Sequence, residues 1–150
     1  MAINYQLFST NKDVISQELT EVVNVFVKHS EKIDSYNKKL RSNEVLECLA
    51  YDLKHCGYII KENRSSEPDA YNKQHQIIIE IEAGRGLTNN QYLKDLLEVC
   101  MLDNVKYLII AVRNIYGTQH DYDKIVDFLS RIYSSDKIVL PLQGVLIIGY

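Results

Sequence analysis

Two glutamates one residue apart, Glu80 and Glu82, lie near the end of the run Gln76-Ile77-Ile78-Ile79-Glu80-Ile81-Glu82-Ala83. Alternate side chains of an extended chain share a face, so these carboxylates project together while Ile79 and Ile81 project to the other side. Setting ionised carboxylates side by side in an apolar strand costs several kcal/mol unless a cation compensates them. Hard oxygen donors suit Mg²⁺ or Mn²⁺, and Mg²⁺ often takes one or two carboxylates and keeps its remaining positions for water and a phosphate oxygen. A third acid, Asp69, follows Pro68 eleven residues before Glu80 at the end of a polar loop, and a hairpin would return it beside Glu80. The competing reading is an exposed strand end at which Arg85 pairs with one glutamate.

The elements that must position these acids follow from periodicity. Apolar residues at spacings of three and four predict an amphipathic helix over 11–29, carrying Val22, Val23 and Phe26, with a polar helix end and connector over 30–43. Ser42 or Asn43 is expected to cap a second helix that places Val45, Leu49 and Leu53 on one face and stops at Gly57. Tyr58 to Ile60 read as a short strand and residues 61–75 as a polar, loop-like segment. The isoleucine run 76–83 reads as a strand near the middle of a sheet. A helix from 89 or 90 to 101, a buried strand over 106–112, a helix over 121–134 and a terminal strand in Gly-Val-Leu-Ile-Ile-Gly-Tyr complete the chain. Strands alternating with helices predict an α/β (α+β) three-layer domain with a mixed central sheet flanked by helices. It is expected to be one domain over 1–150, with an N-terminal helix and connector in 1–40 and the core in 41–150.

Pro68-Asp69, a turn, and Glu80-Ile81-Glu82 at the end of an apolar strand resemble the motif of the PD-(D/E)xK superfamily of restriction-endonuclease-like nucleases. Glu82 stands where that family usually has lysine, as in the Glu-x-Glu variant of the BamHI-like type II restriction endonucleases, and Ala83-Gly84-Arg85 is similar to that variant too. Asn43-Glu44-Val45-Leu46 ahead of Gly57-Tyr58 resembles the family's opening helix and first strand. The resemblance spans roughly residues 43–112 and implies the core order αβββαβ. It implies that Asp69 and Glu80 ligate the metal with the backbone carbonyl of Ile81. Glu82 would occupy the lysine position, as a ligand for a second cation or as a general base, and Glu44 would be an accessory acid, with Glu47 as its substitute.

Basic and amide side chains near the motif are candidates for phosphate contact. Arg85 follows a glycine, where backbone approaches a ligand closely, Lys73 lies between Asp69 and Glu80, and Gln91 and Lys94 come from the next helix. Lys94 could also stand in for the missing strand lysine. Other chemistry is poorly served. The four histidines lack metal-ligand spacing, the three cysteines read as buried free thiols, and Gly84-Arg85-Gly86 lacks the pattern of a phosphate loop.

Composition is that of an ordinary globular chain, with 150 residues, 46% hydrophobic, 25% charged and a mean hydropathy of −0.20. No apolar run is long enough to span a bilayer and no leader pattern opens the chain, so a cytoplasmic location without membrane contact is expected. The net charge of −3 excludes a uniformly basic nucleic-acid coat, although Lys28, His29, Lys32, Lys38, Lys39 and Arg41 crowd one stretch. The expected function is that of a metal-dependent DNA endonuclease using Mg²⁺ or Mn²⁺ on double-stranded DNA, working as a homodimer. The alternative is a catalytically inactive nuclease-fold module binding DNA or a protein partner in a defence or phage-related system. A small-molecule metal hydrolase is a third reading without a supporting motif.

Overall fold

Strands buried on both faces read as continuous apolar runs, and three such runs form the centre of the sheet. The computed structural model describes residues 3–10, 14–62, 67–84 and 90–150. Its elements run β1 (Asn4–Ser9), α1 (Gln17–Lys28), α2 (Ser30–Ile33), α3 (Ser42–His55), β2 (Ile59–Ile60), β3 (Ala70–Asn72), β4 (Ile77–Glu82), α4 (Gln91–Cys100), β5 (Tyr107–Val112), α5 (Asp121–Tyr133) and β6 (Gly144–Gly149). The sheet order is β1-β6-β5-β4-β3-β2. β4, β5 and β6 are mutually parallel, β1 pairs antiparallel with β6, β3 pairs antiparallel with β4, and β2 pairs antiparallel with β3. The result is an open, mixed, six-stranded α/β sheet with helices on both faces.

Alternation along the central strands divides the core. Ile79, Ile109 and Ile148 face Phe26 of α1 and Val45, Leu49 and Leu53 of α3. Ile78, Leu108, Ile110 and Ile147 face Tyr92 and Leu96 of α4 and Ile125 and Leu129 of α5. No helix among the described residues is long and apolar enough to cross a membrane.

Four local departures separate the structure from the expected elements. The N-terminal segment supplies β1, an edge strand paired residue for residue with β6 from Asn4↔Gly149 to Ser9↔Gly144. Only Phe8 of this strand is buried, so its apolar alternation is weak. α1 begins after Ser16, whose hydroxyl accepts the Leu19 N–H, so residues 14–16 are not helical. The segment read as loop contains β3, whose polar residue Asn72 is 2% exposed because its amide donates to the Cys56 carbonyl and accepts from the His75 N–H. The N-cap of α3 is Arg41 in place of Ser42 or Asn43.

Gly149 of β6 lies hard against Asn114 and against Tyr122 of α5. A Cβ there would lie 2.1 Å from Asn114 Oδ1 and 2.7 Å from Tyr122 Cδ2. Gly149→Ala is expected to lower unfolding stability by about 1–3 kcal/mol through overpacking. Ile59→Ala, at the half-open edge where Ile59 is 65% exposed, should change stability by less than about 0.5 kcal/mol. Urea unfolding of both variants checks this ranking, and equal losses would contradict it.

Candidate metal centre

The β3–β4 hairpin pairs Ala70 with Ile79, which sets Asp69 opposite Glu80 just beyond the end of the ladder. Past that point the Ile81 N–H has no β3 partner, and Asp69 Oδ2 accepts it at 2.8 Å. The Asp69 N–H in turn donates to the Glu80 carboxylate. Asp69 and Glu80 are thus drawn together by main-chain bonds, and Glu82 follows on the same face of β4.

The second wall of the cluster comes from α4. Buried positions on this helix are Tyr92, Asp95, Leu96 and Val99, so Asp95 lies on the apolar stripe and is carried down onto the sheet. Its Oδ1 accepts from Gln91 Nε2 at 2.9 Å. Its other oxygen, Oδ2, is buried and has no hydrogen-bond donor among the described residues. Glu82 lies within hydrogen-bonding reach of Asp95. Four acids therefore converge at the C-terminal end of β4, and sequence reasoning overlooked Asp95. The signal for it was present, because an aspartate at the i+3 position of a Tyr92/Leu96/Val99 stripe has to be buried.

Electrostatics follow from this crowding. Burial, then the neighbouring Asp69 and Asp95 charges, pushes the Glu80 carboxyl up to about 8, with the Asp69 N–H and Lys61 pulling the other way. Glu82 is pushed up to about 9 by burial, then by its contact with Asp95 and by the charges of Asp95, Glu80 and Asp69. Lys61, just past β2, lies 3.5 Å from Asp69 Oδ1 and is the nearest compensating cation among the described residues. It was also missed, since nothing in a strand-end lysine distinguishes it until β2 is paired with β3.

The remaining candidates separate clearly. Gln91 belongs to the site through Asp95. Lys94 does not: it is exposed and lies 4.0 Å from Glu98, on the solvent side of α4. Lys73 is in the turn that follows Asn72↔Ile77, at the far end of the hairpin about 10 Å along the strand from Glu80. Glu44 is turned back on its own helix end, where its Oε1 accepts from Arg41 Nε at 2.6 Å and from the Arg41 N–H at 3.4 Å. Glu47, one helical turn on, lines a cleft of about 550 Å³ together with Asn43, Ile60, Lys61 and Asp69. Arg85 lies outside the described residues. Of the basic stretch, Lys28 and His29 are engaged by Asp52 at 3.0 and 2.6 Å.

A divalent cation fits this site in donor chemistry: hard carboxylate oxygens, excess negative charge and one buried oxygen without a donor. Among the described residues, no group of three or more acidic, histidine or cysteine side chains already stands in an arrangement that would hold one ion.

Without a cation, Glu80 and Glu82 keep protons in the folded chain at pH values where the unfolded chain, with carboxyls near 4.5, has released them. Raising pH therefore favours the unfolded chain. Stability of the metal-free protein is expected to be highest near the ordinary carboxyl value and to fall until pH passes about 9. Glu82→Gln should flatten much of this fall and, by donating to Asp95, add about 1–3 kcal/mol at the alkaline end. Urea midpoints across this pH range test both; a midpoint that rises with pH would contradict the assignment. No protein-family model, curated protein or solved structure matches the chain, so the centre is defined by its own residues.

Proposed function

We propose that the protein is a metal-dependent DNA endonuclease of restriction-endonuclease-like type, hydrolysing phosphodiester bonds. The observation that carries this reading is the meeting of Asp69 and Glu80 at the end of β4, beside the cleft under α3. The succession α3-β2-β3-β4-α4-β5, antiparallel from β2 to β4 and parallel from β4 to β5, supports it, being the αβββαβ order that the motif resemblance implies.

Asp69 and Glu80 are the residues that would hold Mg²⁺ or Mn²⁺, with Glu82 beside them. An ion bound there supplies Lewis-acid polarisation of a phosphate oxygen and acidifies water. Lys61 brings its ammonium to the same cleft as Asp69, where it meets the negative charge of a phosphodiester. With a cation in place, the charges that keep a proton on Glu82 would be compensated, and its carboxylate would be free to accept a proton from attacking water. Glu47, facing the cleft from α3, takes the accessory role considered for Glu44. Asp69 is held in place by the Ile81 N–H, so its orientation is set before substrate arrives. Two copies acting symmetrically would cut both strands of a duplex.

A second reading, a nuclease-fold module that binds DNA or a protein without turnover, is favoured by Glu82 standing at the lysine position. Plasmid DNA incubated with the protein and Mg²⁺ or Mn²⁺ decides between them. Nicking or linearisation is expected, reduced about 100-fold or more by Glu80→Ala or Asp69→Asn and unchanged by Lys73→Ala. No cleavage by the wild-type chain, or equal cleavage by wild type and Glu80→Ala, would overturn the endonuclease reading. Salt-dependent DNA binding without turnover would then support the module.

A further inference from the structure

An aromatic ring stands beside the end of β4 and belongs to neither side of the core. Tyr116 is 43% exposed, although a glycine and a buried arginine hold it in place. Gly84 donates its N–H to the Glu82 carbonyl at 3.1 Å, so it turns directly off the strand that carries the glutamates. A Cβ on Gly84 would lie 2.8 Å from Tyr116 Cε2 and 3.2 Å from its Cζ, and the missing side chain is what lets the ring come down on that turn. Two residues span at most about 7 Å, so the ring is anchored that close to the Glu82 backbone. Its mounting is also fixed from behind. Tyr116 and Gln119 exchange main-chain hydrogen bonds of 2.9 Å across a turn that contains Gly117 at φ +61°. The guanidinium of Arg113, which is 5% exposed and donates to the Leu40 carbonyl at 2.5 Å, lies 5.0 Å from the ring centroid. A half-exposed ring backed by a pinned guanidinium offers a flat face at small conformational cost, which is the chemistry that receives a nucleobase.

We propose that Tyr116 is a stacking platform for an unpaired base of the strand whose phosphodiester lies at the acid cluster, and that the preferred substrate is single-stranded DNA or a duplex with unpaired nucleotides. Bases inside an intact duplex cover one another's faces, so only an unstacked base has a face to give this ring. Every base has such a face, and the contact is therefore tolerant of sequence. The proposal rests on the reading of the β4 end as a DNA-cleaving site and goes beyond it in naming the form of the DNA.

Fluorescence anisotropy at fixed salt, with Ca²⁺ as an oxygen-seeking divalent ion, tests it without reference to turnover. A labelled single strand is expected to bind more tightly than the blunt duplex of the same sequence. Tyr116→Leu keeps apolar bulk without a π-face; it should weaken strand binding about 5-fold or more and change duplex binding by less than about 2-fold. Tyr116→Phe and Tyr116→Trp should stay close to wild type. A wholly abasic strand, which keeps every phosphate and loses every base, reads the same contact without any variant. The wild-type chain should bind it about 5-fold or more weakly than the natural strand, and Tyr116→Leu should bind the two nearly alike. Tighter binding of the duplex, an unaltered or equal loss on both DNAs in Tyr116→Leu, or indifference of the wild-type chain to removal of the bases would overturn the platform and leave the endonuclease reading standing. A loss in Tyr116→Phe as large as in Tyr116→Leu would overturn it too, by assigning the contact to the hydroxyl. Failure of the wild-type chain to bind any of these DNAs would overturn the platform and the endonuclease reading together. Base-dependent binding by a chain that cuts no plasmid would uphold the platform and reject turnover alone.

Discussion

Like charges gathered in a partly buried place are the constraint on which the functional end of this molecule depends. Asp69, Glu80, Glu82 and Asp95 meet where β4 ends, and among the described residues the ammonium of Lys61 stands against them. Left alone, such a cluster must hold protons well above the ordinary carboxyl range, and Glu80 and Glu82 do so. A fold that only needed stability would place apolar residues here, because a hydrophobic replacement of buried charges is commonly neutral or stabilising. Retaining four acids here therefore calls for a reason other than stability.

The rest of the architecture holds that cluster together. Parallel pairing of β4 with β5 and of β5 with β6 puts the middle strands out of solvent on both faces, so the end of β4 is a fixed edge. Antiparallel β3 brings Asp69 back to that edge, and the Ile81 N–H orients it. From the opposite face of the sheet, α3 contributes Glu47 to the wall of the cleft, while α4 carries Asp95 down from its own side. Each acid comes from a different backbone segment except Glu80 and Glu82, and strand alternation already ties those two together.

That division explains what could be read before the fold was known. Glu80, Glu82 and the long amphipathic helices follow from local periodicity, and local periodicity is visible in a chain of letters. Asp69 was legible only as a distance along the chain that a hairpin could close, and the structure closes it. Lys73 misled because sequence separation places it between Asp69 and Glu80, whereas antiparallel pairing sends the middle of a hairpin loop to the far end of its strands. Lys94 misled because being on the helix after the motif does not fix which side of that helix a residue takes, and Lys94 takes the solvent side beside Glu98. β1 and β3 escaped because an edge strand and a three-residue strand carry too little apolar alternation to declare themselves.

Asp95 shows how a helix stripe can expose function when it contains the wrong kind of residue. Tyr92, Leu96 and Val99 bury α4 by ordinary hydrophobic packing, and the position between them is filled by a group that opposes burial. Gln91 compensates only one of its oxygens. Asp95 Oδ2 is buried without a donor among the described residues, and Glu82 lies within hydrogen-bonding reach of the same carboxylate. Such a residue is costly to the apoprotein and becomes favourable only when a proton or a cation sits between the two carboxylates. The two occupants have opposite consequences for charge. A shared proton leaves the cluster negative and repels a phosphodiester, whereas a divalent ion reverses the local sign and attracts one. The net charge of −3, which argues against nucleic-acid binding when spread over the whole surface, carries less weight when Asp69, Glu80, Glu82 and Asp95 are gathered at the end of β4.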